Sequence, residues 1–167
     1  MASLKKPDPV FSPADLEARL FGPPGFAPDA RFVVALSGGL DSIVLLHAVA
    51  RLRASRPFAL RVIHVHHGLH EDADRWAQHC LGFCERLGVA CAVLKVTVDL
   101  DHDEGLEAAA RRARYASLAQ ALDNGEVLLT AHHRDDQAET LLLHLVRGAG
   151  IAGLAAMPGH AAFAQGT

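Results

Sequence analysis

The residues best equipped for chemistry are six in a row, Ser37-Gly38-Gly39-Leu40-Asp41-Ser42. Two glycines permit a tight turn and the close approach of a ligand to the backbone. The apolar run Phe32 to Leu36 feeds into this turn, and a helical pattern leaves it. Unpaired N–H groups at a helix start favour an anion, and Ser37 and Ser42 add hydroxyl donors, so a pyrophosphate suits the turn. Asp41 is the discordant residue, because a carboxylate beside phosphates repels them. A divalent cation between the two resolves the conflict, and Mg²⁺ prefers oxygen ligands. The turn is neither the Gly-Lys-Ser/Thr phosphate loop nor the G-x-G-x-x-G dinucleotide fingerprint. A Gly-Gly turn after a strand also serves purely structural ends.

Other candidates are spread along the chain. Glu107, Arg111 and Arg114 follow i, i+4, i+7 spacing and share one helix face. The two arginines suit phosphate, with Glu107 orienting Arg111; a solvated, salt-bridged face is the plainer account. Arg112 falls off that face and reads as ordinary surface. Asp135, Asp136 and Glu139 follow His132-His133 at the start of a further helical pattern. Acids there stabilise a helix dipole, and they also suit a second metal contact. His64, His66, His67 and His70 cluster at the end of a strand; local packing and hydrogen bonding account for them better than zinc does. Cys80, Cys84 and Cys91 lack C-x-x-C spacing and read as buried, reduced thiols.

The elements that must position these residues alternate. Apolar, β-branched runs at Phe32–Leu36, Leu60–Val65, Val89–Val96 and Val127–Ala131 are separated by helical patterns at about 41–54, 71–87 and 105–122. A last helical pattern covers about 134–146, and Gly88 and Gly125 stand where helix stops are expected. Strands apolar throughout imply a sheet covered on both faces. The predicted fold is α/β, a doubly wound, mostly parallel sheet with helices on both faces. Ahead of it, Ser12-Pro13-Ala14-Asp15 offers an N-cap, a proline at the first helical position and an acid at the third. That short helix is broken by Phe21-Gly22-Pro23-Pro24-Gly25.

The chain has 167 residues, 50% hydrophobic and 21% charged, a globular composition sufficient for one domain. No apolar run approaches the roughly 18–20 residues needed to span a bilayer, and the start has no apolar stretch of a secretory signal. The cytoplasm is the expected location. A net charge of −3 and a pI near 6.4 argue against a broad electrostatic footprint for nucleic acid. A local cluster or a partner domain remains able to hold a polyanion.

Strand–Ser-Gly-Gly-Leu-Asp-Ser–helix resembles the PP-loop, or N-type ATP pyrophosphatase, superfamily. Four further segments narrow the resemblance: His64-Val65-His66-His67-Gly68-Leu69; Gly105-Leu106-Glu107 with Ala110-Arg111 and Arg114-Tyr115; Thr130 to Thr140; and Arg147-Gly148-Ala149-Gly150 with Gly153-Leu154. In this order they are similar to the N-terminal domain of the tRNA(Ile)-lysidine synthase family, over about residues 31–157. The resemblance implies ATP-dependent ligation of L-lysine to C2 of the wobble cytidine of tRNA(Ile), by way of an adenylated tRNA. It implies that Ser37, Gly38, Gly39 and Ser42 cradle pyrophosphate, with Asp41 and Asp136 on Mg²⁺. Arg111 and Arg114 stabilise phosphate or the approaching tRNA, and His64, His66 and His132 lie near ATP. The implied organisation is an N-terminal extension (1–30), the ATP-binding catalytic domain (31–157) and a tail (158–167). The family's further Arg-Pro-Leu, acidic-Ser-Asn and tRNA-binding segments are not among these residues, so a catalytic-domain portion is expected. An unpaired sheet edge makes a homodimer an expectation as well. The competing readings are an ATP- or AMP-binding module without autonomous activity and a thiolating PP-loop enzyme. Thiolation commonly uses C-x-x-C pairs, which the sequence does not contain.

Overall fold

The computed structural model describes residues 12–99 and 105–131. Four strands, β1 (Arg31–Ala35), β2 (Ala59–His66), β3 (Ala90–Lys95) and β4 (Glu126–Leu129), form one parallel sheet in the order β3-β2-β1-β4. The helices are α1 (Pro13–Phe21), α2 (Leu40–Leu52), α3 (Ala73–Leu87) and α4 (Leu106–Ala121). The expected helix at 134–146 and the segments from His132 onward lie outside the described residues.

Side chains alternate across β1, and this alternation defines the two layers. Phe32 and Val34 join Leu46, Val49, Leu60, Val62, Cys80 and Cys84 in the larger core, under α1, α2 and α3. Val33 joins Ile63, Leu118 and Leu122 on the opposite face, under α4. The α/β fold with both faces covered is thus the observed one. The order has a physical cause. β1–α2–β2 and β2–α3–β3 step in one direction, whereas the α4 connection returns past β2 and β1 to the far edge. Right-handed crossovers then put α4 on the other face. The winding reverses between β1 and β4, and ligands of such sheets bind beyond the strand ends at that switch point.

The N-terminal helix starts as its residues dictate. Ser12 Oγ accepts the Asp15 N–H at 3.2 Å, and Asp15 Oδ2 accepts the Ser12 N–H at 3.2 Å, a reciprocal cap with Pro13 in the first turn. Leu16 and Leu20 are buried in the larger core, so the described part of the expected extension packs onto the sheet. Gly88 ends α3 with φ 62°, as a left-handed stop should. Gly125 does not end a helix. α4 closes at Leu122, whose N–H bonds the Leu118 carbonyl and whose side chain is buried, and Gly125 (φ 77°) belongs to the turn into β4.

β4 is held in place from its first residue. Glu126, 4% exposed, accepts from Arg61 Nε at 2.7 Å, Arg61 Nη2 at 2.5 Å and the Asp123 N–H at 2.8 Å. Arg61 also donates to the Ala121 carbonyl at 2.8 Å, tying β2, the end of α4 and β4 together. The adjacent Arg61 guanidinium holds the Glu126 carboxyl below the usual carboxylate range against the opposing effect of burial. This clamp carries β4 beside β1 and so places Thr130 and Ala131 at the switch point.

Candidate functional site

Beyond the carboxyl ends of the strands lies a cleft of about 380 Å³. Its floor and first wall are Leu36, Ser37, Gly39, Asp41 and Ser42; His64, His66 and His67 come from the end of β2. Arg114, Tyr115 and Leu118 of α4, with Thr130 and Ala131 after β4, form the opposite wall.

The turn is knitted by its own serines. Ser42 is 4% exposed, and its hydroxyl donates to the Gly39 carbonyl at 2.9 Å. With that proton committed, Ser42 Oγ accepts from the Ser37 N–H at 3.2 Å and the Ser37 hydroxyl at 3.0 Å. Ser37 Oγ in turn accepts the Gly39 N–H at 3.2 Å. Both hydroxyl protons are engaged within the turn, so these serines shape the cradle rather than simply adding donors to it. Gly38 takes φ 88°, a conformation that disfavours any Cβ, directly above Cys80. Gly39 is the N-cap of α2, and no side chain caps that helix start. A helix start left uncapped by side chains, with Gly39, Asp41 and Ser42 lining the cleft, has the chemistry that suits an anion. Asp41 is exposed in this first turn and shares the wall with Ser37 and Ser42.

The histidines have separate duties. His64 is buried, and its Nδ1 lies 2.8 Å from the Leu36 carbonyl. A carbonyl only accepts, so Nδ1 carries the proton and Nε2 keeps its lone pair. Burial lowers the His64 pKa, the Leu36 bond opposing it, so the ring is neutral at pH 7. His64 thus braces the residue that leads into the turn, and Cys80 Sγ lies 3.5 Å from the same nitrogen. His66 Nε2 lies 3.1 Å from Asp74 Oδ1 in the first turn of α3. His67 also has a lowered pKa, from burial first and then from Arg114. Its Nδ1 is buried without a hydrogen-bond partner, the one such side-chain atom among the described residues.

The cleft thus gathers Ser37, Gly39, Asp41, Ser42, His64, His66 and Arg114. Gly38 sits behind it as the turn's left-handed residue. Arg111 does not line the cleft. Its guanidinium lies 5.0 Å from the Tyr115 ring centroid, with that of Arg114 at 5.3 Å, so one ring supports both cations. Arg111 and Glu107 form no ion pair with each other, and the ring takes the orienting role expected of the carboxylate. Arg112 donates to the Asp99 carbonyl at 3.1 Å, away from the cleft. Asp136, Asp135 and His132 lie outside the described residues.

Sequence reasoning did not single out Trp76, and it named His67, His70 and Tyr115 without giving them a place among the site residues, yet all four line the cleft. A signal existed for Tyr115, one residue after Arg114 and four after Arg111. Cys80, Cys84 and Cys91 are free thiols, Cys80 and Cys84 buried as expected and Cys91 only half-buried. Burial raises all three, Cys80 to about 11 and Cys91 to about 12. They are packing groups rather than nucleophiles.

A parallel sheet carrying an uncapped helix start and a glycine turn at its switch point defines an α/β domain built to hold an anionic group. Comparison with known proteins makes that class specific. The model of the PP-loop domain matches residues 15–167, and the chain belongs to that family. It is 56% identical to a tRNA(Ile)-lysidine synthase of Alkalilimnicola ehrlichii over 151 residues, 90% of this chain and 33% of that protein. Similar proteins of the same name occur in Xanthomonas campestris (55% identity, 84% of this chain and 32% of that protein) and Methylococcus capsulatus (50%, 85% and 32%). The chain thus spans about a third of the length of these relatives. Among solved structures it resembles the U34-tRNA thiolase NcsA from Methanococcus maripaludis with its 4Fe-4S cluster. That match has a TM-score of 0.64 at 18% identity, covers 86% of this chain and 51% of the other, and bears on the fold alone.

Proposed function

We propose that this chain is the ATP-binding, adenylating domain of a tRNA-modifying ligase that joins L-lysine to C2 of the wobble cytidine of tRNA(Ile). The observation that carries the reading is the Ser37–Ser42 turn, with its uncapped α2 start, at the β1/β4 switch point. The names of the 50–56% identical relatives support it. In this reaction the cytidine O2 attacks the α-phosphate of ATP and diphosphate leaves. The lysine ε-amine then displaces AMP from C2, giving lysidine.

This chain's residues supply binding and alignment. The first-turn amides of α2 hold phosphate oxygens, and the Ser37–Ser42 bonds keep those amides pointed at the cleft. Arg114, held against Tyr115, offsets charge on phosphate or on the approaching tRNA, and Arg111, over the same ring, adds positive charge to the same role. Neutral His64 keeps the turn's entry fixed and leaves Nε2 as an acceptor; His66 and His132 complete the nucleotide's surroundings. Asp41 is an exposed, hard-oxygen donor beside the proposed phosphate cradle and would hold Mg²⁺, with Asp136 as its proposed partner. The cation supplies charge neutralisation on the triphosphate. Residues 31–157 form the catalytic unit of this proposal, in the cytoplasm, with tRNA(Ile) and L-lysine as substrates. Self-association through a sheet edge belongs to the same reading, and a monomeric mass by light scattering would remove that element.

The test is a titration of the chain with ATP, with and without Mg²⁺, beside a folded Asp41→Asn variant. Mg²⁺-dependent binding that weakens in the variant supports the reading; absence of binding by folded wild-type chain counts against it. Binding without lysine-dependent turnover of tRNA would favour an ATP- or AMP-binding module. The thiolating alternative needs reactive sulfur, and three thiols raised by burial speak against it.

A further inference from the structure

Trp76 is the chain's single tryptophan. On α3 its neighbours Ala73, Ala77, Cys80 and Cys84 are buried, yet Trp76 keeps 45% of its surface exposed. Leaving that much indole in water forgoes hydrophobic stabilisation that a core position would recover. The ring is not loose, because the His70 imidazole stacks on it with centroids 4.7 Å apart and planes 24° apart.

His70 is itself fixed. Its Nδ1 accepts the Asp72 N–H at 3.1 Å, which orients the ring. Asp72 is held by Arg75 at 3.2 Å. The result is a pre-oriented aromatic ledge, with Leu69, 48% exposed, in the same wall. The ledge lines the cleft that holds Ser37, Gly39, Asp41 and Ser42. An anion cradle and an aromatic ledge in one cleft match a molecule joining phosphate to a flat heterocycle.

We propose that Trp76 and His70 form a nucleobase-stacking subsite of the cleft. The inference rests on the nucleotide-binding reading above and extends it to the base. Stacking is the interaction that such faces supply, and it tolerates any base because every base has a π face. Two sources carry that chemistry: the adenine of ATP, and an unstacked base of the RNA substrate.

The experiment uses Trp76 emission, which reports this subsite alone because no other indole is present. The full chain is titrated with Mg²⁺-ATP, with Mg²⁺-tripolyphosphate, and with a single-stranded oligocytidylate, and binding is measured in parallel by equilibrium dialysis. Quenching by ATP assigns adenine, and quenching by the oligonucleotide assigns the RNA base. Tripolyphosphate has no base and is expected to leave the emission unchanged. Trp76→Ala should weaken the quenching ligand roughly tenfold, and Trp76→Phe should restore most of that loss. Neither variant should alter tripolyphosphate binding. His70→Ala, which removes half the ledge and keeps the fluorophore, covers the case in which Trp76→Ala fails to fold. ATP and RNA that bind by dialysis without quenching, and without loss in Trp76→Ala or His70→Ala, would overturn the subsite and leave the proposed function standing. Quenching by RNA with no ATP binding would do the reverse. Failure of both ligands to bind folded chain would sink both.

Discussion

Replacing Gly38 by alanine tests whether the shape of the turn makes the site. Gly38 holds φ 88°, where an L side chain strains the backbone by about 1–2 kcal/mol. The new methyl would also lie 3.3 Å from Cys80 Sγ, closer than ordinary contact, and Cys80 is fully buried with little room to move. The cost must appear in one of two places. If the turn keeps its form, stability falls by at least the backbone strain. If the turn relaxes, the Ser37–Ser42 bonds break and the α2 amides are misdirected. Mg²⁺-ATP affinity then falls about 5- to 30-fold, the same free energy at about 1.4 kcal/mol per tenfold. Urea unfolding and equilibrium dialysis on the same preparations measure both. Adding Cys80→Ala should recover the part due to contact but not the part due to φ, a coupling of about 0.5 kcal/mol or more. A Gly38→Ala variant with unchanged urea midpoint and unchanged ATP affinity would refute the reasoning.

Two further outcomes follow from buried groups. Glu126→Gln should cost about 2–3 kcal/mol in urea unfolding at pH 7, below the full buried-pair range because Arg61 is 30% exposed. The Glu126 carboxyl has a lowered folded pKa, so its stabilisation is present above the unfolded carboxylate pKa and lost as pH falls through the folded value. Unfolding free energies measured across the acid range should therefore fall less steeply in Glu126→Gln than in wild type, and parallel curves would contradict the clamp. Cys80, raised to about 11, and Cys91, raised to about 12, should react with a thiol reagent at pH 8 far more slowly in native chain than in urea. Equal rates measured by absorbance would show that the fold does not shield these thiols.

The sequence by itself determined the local parts. The glycine pair and Asp41 announced the turn. Ser12 with Pro13 announced the start of α1, and the apolar runs announced four strands to within a residue or two at most ends. These features are legible because their causes act between residues a few positions apart: backbone freedom, capping, and side-chain periodicity. Gly125 misled for the same reason in reverse, since a buried Leu122 ended α4 first and local spacing does not reveal burial. The tertiary structure alone decided what meets across the fold. His64 braces the Leu36 carbonyl from 28 residues away, and Arg61 clamps Glu126 from 65. Cys80 lies against Gly38, and Trp76 comes to line the cleft. Each of these depends on strand order and on which face each crossover helix covers. That order is set by the right-handed crossover and by burial of both sheet faces at once, constraints of the whole chain that no short window contains.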